Sequence, residues 1–393
     1  MSNLKKIYIL ELILFSGGVV FNGTFPRTCL IIWLVTAILL LIRHGVDRRN
    51  LKICVCFSLW ILSVQYIFIK SSFDNTYLSY LLYLSGGLGL SVFSFNDFRN
   101  CLLKWMSIIG FLSIIVQLGF DLFAFPASIH FDDSGSPFVI SMFFFNVAWA
   151  SDSNSLLHRL SSIFWEPGQY QILITFTLCL FIKELTDFKN FMLWIKKFGV
   201  LILALLFTQS TMGYLSLILM MIVSYLFCSP PSNNSMIRKM VVKICSWIIL
   251  VFSVGYLWQS SVVQDKLSQR DSGVDNSYNI RLADNIACFY AALESPIYGQ
   301  GVSSKQLRKR LVSLGSQTSS NGWLLSAASL GFVFVIAIIF IMYRRIDEMG
   351  IIKRPLALLI ILVLSQCNES VMYFPYIYIY IYHFDDNYRL KCL

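Results

Sequence analysis

Long apolar blocks, flanked by Lys and Arg on alternate sides of the chain's path, constrain this sequence more than any other feature. The blocks run for roughly fifteen to thirty residues, near the ~20 that cross a hydrocarbon core as helix, and they lack a polar stripe. With 57% hydrophobic and only 13% charged residues in 393, a soluble exterior would run out of charge before it covered the core. In lipid a helix satisfies its backbone within itself. The expected fold class is an all-α polytopic integral membrane protein.

With the N-terminus taken as cytoplasmic, about 12 transmembrane helices follow, at roughly 7–22, 29–42, 53–69, 77–95, 105–125, 169–183, 198–209, 212–228, 244–258, 321–342, 355–368 and 371–384. The first block follows Lys5 and Lys6, and no small-residue cleavage site precedes Asn22, so it reads as a span and not a signal peptide. Residues 198–228 and 355–384 have basic residues on both flanks, which makes each a hairpin, turning at TQSTMG (208–213) and QCNES (366–370). Most Lys and Arg fall in the segments this threading puts inside, and the short outer turns hold only Arg27 and Lys70. The net charge of +10 therefore orients the chain in a membrane and points to no nucleic acid. The run YIYIYIY (376–382) alternates like a strand, but a lone strand in lipid leaves its backbone unpaired, so helix is expected.

The chain divides into helices 1–5 (1–125), outer loop A (126–168), helices 6–9 (169–258), outer loop B (259–320), and helices 10–12 with a cytoplasmic tail (321–393). Loop A carries Asp132, Asp133, Asp152, His130, His158, Arg159 and Glu166, and its apolar stretch Phe138 to Trp149 is too short to span and fits the interface or a re-entrant path. Loop B is basic, with Arg270, Arg281, Lys305, Arg308, Lys309 and Arg310. Its middle reads as one amphipathic helix ended by Ser295-Pro296 and a Gly299/Gly301 turn.

Polar chemistry concentrates in these loops. Within the spans Glu11 is the clear ionisable residue, with Lys70, Asp121 and Glu369 near span ends; its place one turn into the first span suits a reach to the inner interface better than transport. Arg159, Glu166, Pro167 and Gly168 stand just before span 6. Pro at a first helical position and a carboxylate beside a helix N-terminus are ordinary helix-start signals, and spacing alone favours that reading. The alternative is a substrate-facing pair, Arg159 for an anion and Glu166 for hydroxyls or a proton. Arg281 with Asp284 is equally an i,i+3 surface pair. Lys305 and Arg308 suit anionic headgroups or a diphosphate lipid, where Arg offers the planar contacts. Thr208 and Ser210 read as a satisfied turn that also suits a sugar site. The ten cysteines form no disulfide framework, His130 and His158 stand isolated, and Asp132-Asp133 is a weak metal pair, so no metal or cofactor is expected.

Four segments together carry a family resemblance: RLSSIFWEPGQY (159–170), LFTQSTMGYL (206–215), the Arg-led helix ending SPIYGQG (281–301), and SSNGWLLSAASLGFV (319–333). In order, spacing and membrane placement the chain resembles the O-antigen polymerase (Wzy) family of bacterial envelope polysaccharide synthesis. The resemblance implies a GT-C-like fold with two large periplasmic loops in the bacterial inner membrane and both termini cytoplasmic. It also implies a metal-independent glycosyltransferase acting on undecaprenyl-diphosphate-linked oligosaccharides. Arg281 and Arg159 would hold diphosphates, and Glu166 would orient or deprotonate the acceptor. Arg270, Lys305, Arg308, Thr208, Ser210 and Asn321 would contact substrate, with membrane lipids, a chain-length regulator and a flippase as partners. Two alternatives stay open. An O-antigen ligase commonly has His before the Asn that starts the span after loop B, where this chain has Ser320 beside Asn321. A flippase or exporter would show paired intramembrane charges and repeated halves.

Overall fold

The computed structural model describes residues 1–18, 25–70, 75–123, 125–126, 128–130, 139–142, 144–149, 158–185, 190–227, 277–302, 304–316, 321–367, 369, 375–384 and 389–390. The expected span 244–258, Arg270, Ser320, Asp132, Asp133 and Asp152 lie outside the described residues.

The chain is helical from its third residue. α1 (Asn3–Leu14) is capped by the Ser2 hydroxyl, which accepts from Lys5 N at 3.5 Å. α2 (Pro26–His44) has Pro at its first position and ends at Gly45, whose φ of 81° lets the chain turn away. After the short strand β1 (Val46–Asp47), Asp47 caps α3 (Arg48–Ser63) by accepting from Arg49 N and Asn50 N, and the helix continues as a π-helical turn to Phe68. α4 (Asn75–Gly87) tightens into a 3-10 turn, and α5 runs Phe95–Phe123. Among the described residues, three stretches, Pro26–His44, Arg48–Phe68 and Phe95–Phe123, are long and apolar enough to cross a membrane. They turn large apolar side chains outward, among them Ile31, Ile42, Leu59, Phe111 and Ile115, a surface that suits acyl chains and not water. α5 starts ten residues before the expected span 105–125. Arg99 lies within it, pairing with Glu184 at 3.2 Å and donating to Leu180 O at 3.4 Å.

The middle departs from expectation in two ways. Within 138–149, expected at the interface or on a re-entrant path, β3 (Val139–Met142) and β4 (Phe145–Trp149) form a three-stranded antiparallel sheet with β2 (Ser128–His130) in the order β2-β3-β4, with a register shift between Ile140 and Ser141. Its ladder satisfies the backbone that an unpaired excursion would expose. α6 (Pro167–Cys179) is buried at every position but Gln169, and packs against α5 and against the helices Val200–Phe207, Thr211–Phe227 and Pro355–Ser365. A helix apolar all round is a core helix, enclosed by protein.

α7 (Phe191–Trp194) passes through a π-helical turn into α8 (Val200–Phe207), and α9 (Thr211–Phe227) begins after a break at 208–210, the expected turn. α10 (Ser277–Glu294) and α11 (Lys305–Ser313) form the described part of loop B. The expected single span 321–342 is two helices, α12 (Gly322–Leu330) and α13 (Phe332–Glu348), broken at Gly331. Residues 296–301 cross that break: Gln300 N donates to Ala328 O, Gly301 N to Ser329 O and Phe332 N to Pro296 O. α10 packs along α12, so this part of loop B is built into the helical body. α14 (Pro355–Ser365) follows. Within the expected span 371–384, Pro375–Tyr380 forms a buried 3-10 helix. Tyr376 and Tyr380 donate to the α6 carbonyls of Leu173 and Phe176 at 2.7 and 2.8 Å, and Tyr382 to Leu84 O at 2.8 Å. Each phenol thus finds an acceptor inside an apolar core. A final strand, β5 (Arg389–Leu390), pairs with β1.

Glu11 is buried and accepts a hydrogen bond from Thr36 Oγ1 at 3.0 Å.

Candidate functional site

Residues 158–166 lead through a turn at 161–164 into α6, pinned on several sides. Leu160 N donates to Phe207 O, Trp165 N to Gly17 O and Asn146 N to Ser162 O. The Asn146 amide donates to the carbonyls of Phe164 and Trp165 at 3.2 and 2.8 Å. Ser162 takes a positive φ of 58°, and its hydroxyl meets that of Ser113 at 2.6 Å. A segment so tied has little freedom, which fixes where Arg159 and Glu166 stand.

Glu166 is the residue before α6, extended at φ −130° and ψ 151°, with Pro167 next; its side chain makes no cap hydrogen bond. The helix-start signals are therefore genuine, yet the carboxylate is not spent on capping. It lies beside Glu369, from the turn after α14, close enough for the two carboxyls to share a proton. Glu369 is 8% exposed and lies against the backbone of Gly168, where a Cβ would stand 2.0 Å from its Oε1. Arg281, from the first turns of α10, brings Nη2 to 3.9 Å from that same oxygen, its side chain 39% exposed. Arg281 thus pairs with Glu369 and not with its helical neighbour Asp284, which is buried and accepts from the Ser316 hydroxyl. Arg159 completes the group: its charge bears on Glu369, and its Nε donates to Thr208 O at 3.3 Å.

Glu369 lies in the polar turn outside the spans. Burial, and then the adjacent Glu166 carboxyl, hold it well above the ordinary carboxylate range, against the opposing pull of Arg281 and Arg159. A carboxyl buried beside a second one is costly to ionise, so Glu369 favours its protonated form.

Nearby acceptors add a second character. Gln171, one turn into α6, donates through Nε2 to Ser365 O, and Gln366 donates to Leu362 O, both at 3.0 Å. Their Oε1 atoms, and that of Gln169, are buried with no hydrogen-bond partner among the described residues. Carbonyl acceptors of this kind suit hydroxyl donors.

The remaining expected site residues separate. Thr208 and Ser210 sit beside Arg159, but their hydroxyls serve the turn: Thr208 Oγ1 donates to Leu205 O at 2.7 Å and Ser210 Oγ accepts from Gly213 N at 3.4 Å. Asn321 caps α12, accepting from Trp323 N and Leu324 N at 3.0 and 3.2 Å. Lys305 and Arg308 are exposed on α11, and among the described residues no ion pair joins them to the carboxyl pair. Arg310 pairs with Glu294. His158 is not isolated as expected: its Nδ1 lies 2.7 Å from Oδ1 of the buried Asp121. Glu369 is the member of the group that the loop-centred reading missed. Its available signal was a carboxylate at the end of an apolar block, a position that needs a partner. Compared with known protein families and with characterised proteins, the sequence matches none.

Proposed function

We propose that this chain is an O-antigen or capsular polysaccharide polymerase. It joins undecaprenyl-diphosphate-linked oligosaccharide repeat units at the periplasmic face of the bacterial inner membrane. The observation that carries the reading is the meeting of Glu166, Glu369, Arg281 and Arg159 at the start of α6. Two arginines beside a proton-retaining carboxyl pair, close to buried amide acceptors, match the needs of glycosyl transfer from a lipid diphosphate. Arg281, partly exposed, takes the diphosphate, where a planar guanidinium offers two parallel contacts. Arg159, oriented by Thr208 O, adds charge to the same anion. Glu166 accepts a hydrogen bond from the attacking sugar hydroxyl and orients it toward the anomeric carbon. The oxygen attacks, the bond from anomeric carbon to diphosphate oxygen breaks, and the diphosphate leaves with the electron pair.

To this reading belong twelve crossings, cytoplasmic termini, two large periplasmic loops and a GT-C-like arrangement. A chain-length regulator and a flippase are its expected partners. A strain lacking the gene tests it. Loss of a polymerase leaves single repeats attached to lipid A-core, and the reading fails on either other outcome. Long polymer held on the carrier lipid would make the chain a ligase; repeats trapped in the cytoplasmic leaflet would make it a flippase.

A further inference from the structure

The carboxyl pair has a division of labour that the catalytic outline above leaves open. We infer that Glu369 is a positioning residue for Glu166: it carries the single proton the two carboxyls share, donates it in a hydrogen bond to Glu166, and so keeps Glu166 an acceptor aimed at substrate. The inference rests on the polymerase reading for its catalytic meaning, though the shared proton is a property of the protein alone.

Two features assign the proton to Glu369. Glu369 is the more buried of the two, at 8% exposed against a half-buried Glu166, and the deeper carboxyl carries the larger cost of ionising. Gly168 supplies the room. Any side chain there would occupy the position of Glu369 Oε1, so the close approach of the two carboxyls depends on a residue without Cβ. The charged and titratable groups facing Glu369 are Glu166 and Arg159 from the segment before α6, and Arg281 from α10. With Glu369 neutral, one negative charge faces two arginines, and the site keeps a net positive charge for a diphosphate. With both carboxyls ionised that surplus vanishes.

The proton balance follows. The hydroxyl O–H bond breaks as the new glycosidic C–O bond forms, its proton passes to Glu166 and from there to the departing diphosphate, and Glu369 keeps its own proton throughout. Glu369 therefore needs to donate a hydrogen bond, but does not need to ionise.

Full-length protein in nanodiscs, with lipid-linked repeats extracted from a strain lacking the gene, provides the test. Glu369→Gln, which still donates to Glu166, is expected to stay within about threefold of wild-type turnover, while Glu369→Leu falls by roughly 10²-fold. Wild type should lose activity at alkaline pH as Glu369 ionises, and Glu369→Gln should lack that limb. Infrared spectroscopy without substrate should show a protonated carboxyl band in wild type near neutral pH that disappears in Glu369→Gln. A Gln variant as inactive as Leu, or a wild-type protein without the band, overturns the assignment. Failure of wild type to elongate repeats while the band is present would overturn the polymerase reading and leave the shared proton standing.

Discussion

Gly168 and Glu369 meet so closely that a single methyl group cannot fit between them: a Cβ on Gly168 would lie 2.0 Å from Oε1 and 2.7 Å from the carboxyl carbon of Glu369. Gly168 takes no unusual backbone angle, so helix geometry alone does not require glycine. By propensity, Ala near the start of α6 would favour the helix by up to about 1 kcal/mol. Gly168→Ala is therefore expected to leave folding nearly intact yet displace Glu369 and lower polymer formation by roughly 10- to 100-fold. Glycan ladders from cells complemented with the variant, together with its melting temperature, check this. Full activity would show that the contact is only packing.

Arg281 separates charge from geometry. Arg281→Ala removes the cation proposed to hold the diphosphate and should reduce turnover by about 10²-fold or more. Arg281→Lys restores charge without the planar fork and should recover only part of the loss. Turnover on extracted lipid-linked repeats measures both. An alanine variant with unchanged polymer length and amount would remove Arg281 from the site.

Three of the four members of this group, Arg159, Glu166 and Arg281, stood out in the sequence. The alternation of apolar blocks and basic flanks yields the long helices, because hydropathy and charge are local properties. Pro167 marks the start of α6 for the same reason. Glu369 was hidden because its meaning comes from a chain crossing: the turn after α14 reads as a polar hairpin tip until packing places it on Gly168. Gly331 carried a weak signal, a glycine inside an apolar run, that length alone overrode, so two helices looked like one. The sheet in loop A was masked by aromatic density over 138–149, where alternation was too short to separate strand from interfacial helix. His158 and Asp121 stand on opposite sides of the sheet segment in sequence, and no spacing rule links them.

The pH dependence of stability follows from Glu369 with a definite sign. Its carboxyl is held well above the ordinary value of 4.5 in the folded protein, by burial first and by Glu166 next. The folded state therefore binds that proton more tightly than the unfolded chain does. This contribution is complete below the ordinary carboxylate value and is lost as pH rises toward the raised one. Melting temperature in detergent should decline over that range in wild type, and Glu369→Gln should flatten the decline. A parallel decline in both proteins would assign the effect to other groups.

Gly331 tests how loop B is joined to the helical body. Its φ is +87°, and a Cβ would lie 1.9 Å from Ile297 O. Both the left-handed backbone and the backbone collision oppose any side chain, unlike the case at Gly168. Gly331→Ala should cost about 1–3 kcal/mol from strain alone, and more if residues 296–301 are pushed off the break. A reduced melting temperature with faster proteolysis near 296–301 is the expected result, and unchanged stability would place the break elsewhere.

Asp121 offers a final test, because it ties α5 to the segment that carries Arg159. Its side chain is fully buried. It accepts from His158 N at 3.2 Å and from Gln117 Nε2 at 3.1 Å, and lies 2.7 Å from His158 Nδ1. Gln117 also donates to Val147 O at 2.9 Å, so one short network holds α5, β4 and residue 158 together. Asp121→Leu strands the His158 donors in a buried place, at a cost of about 2–4 kcal/mol. His158→Leu alone should cost less, because Gln117 still serves the carboxylate. If the two residues act as a unit, the double variant will be less destabilised than the sum of the singles by about 1–3 kcal/mol. Arg159, one residue on, should then lose its bond to Thr208 O, so both singles should weaken diphosphate binding without touching the ligand. Additive effects on stability, or unaltered diphosphate binding, would confine this network to local packing.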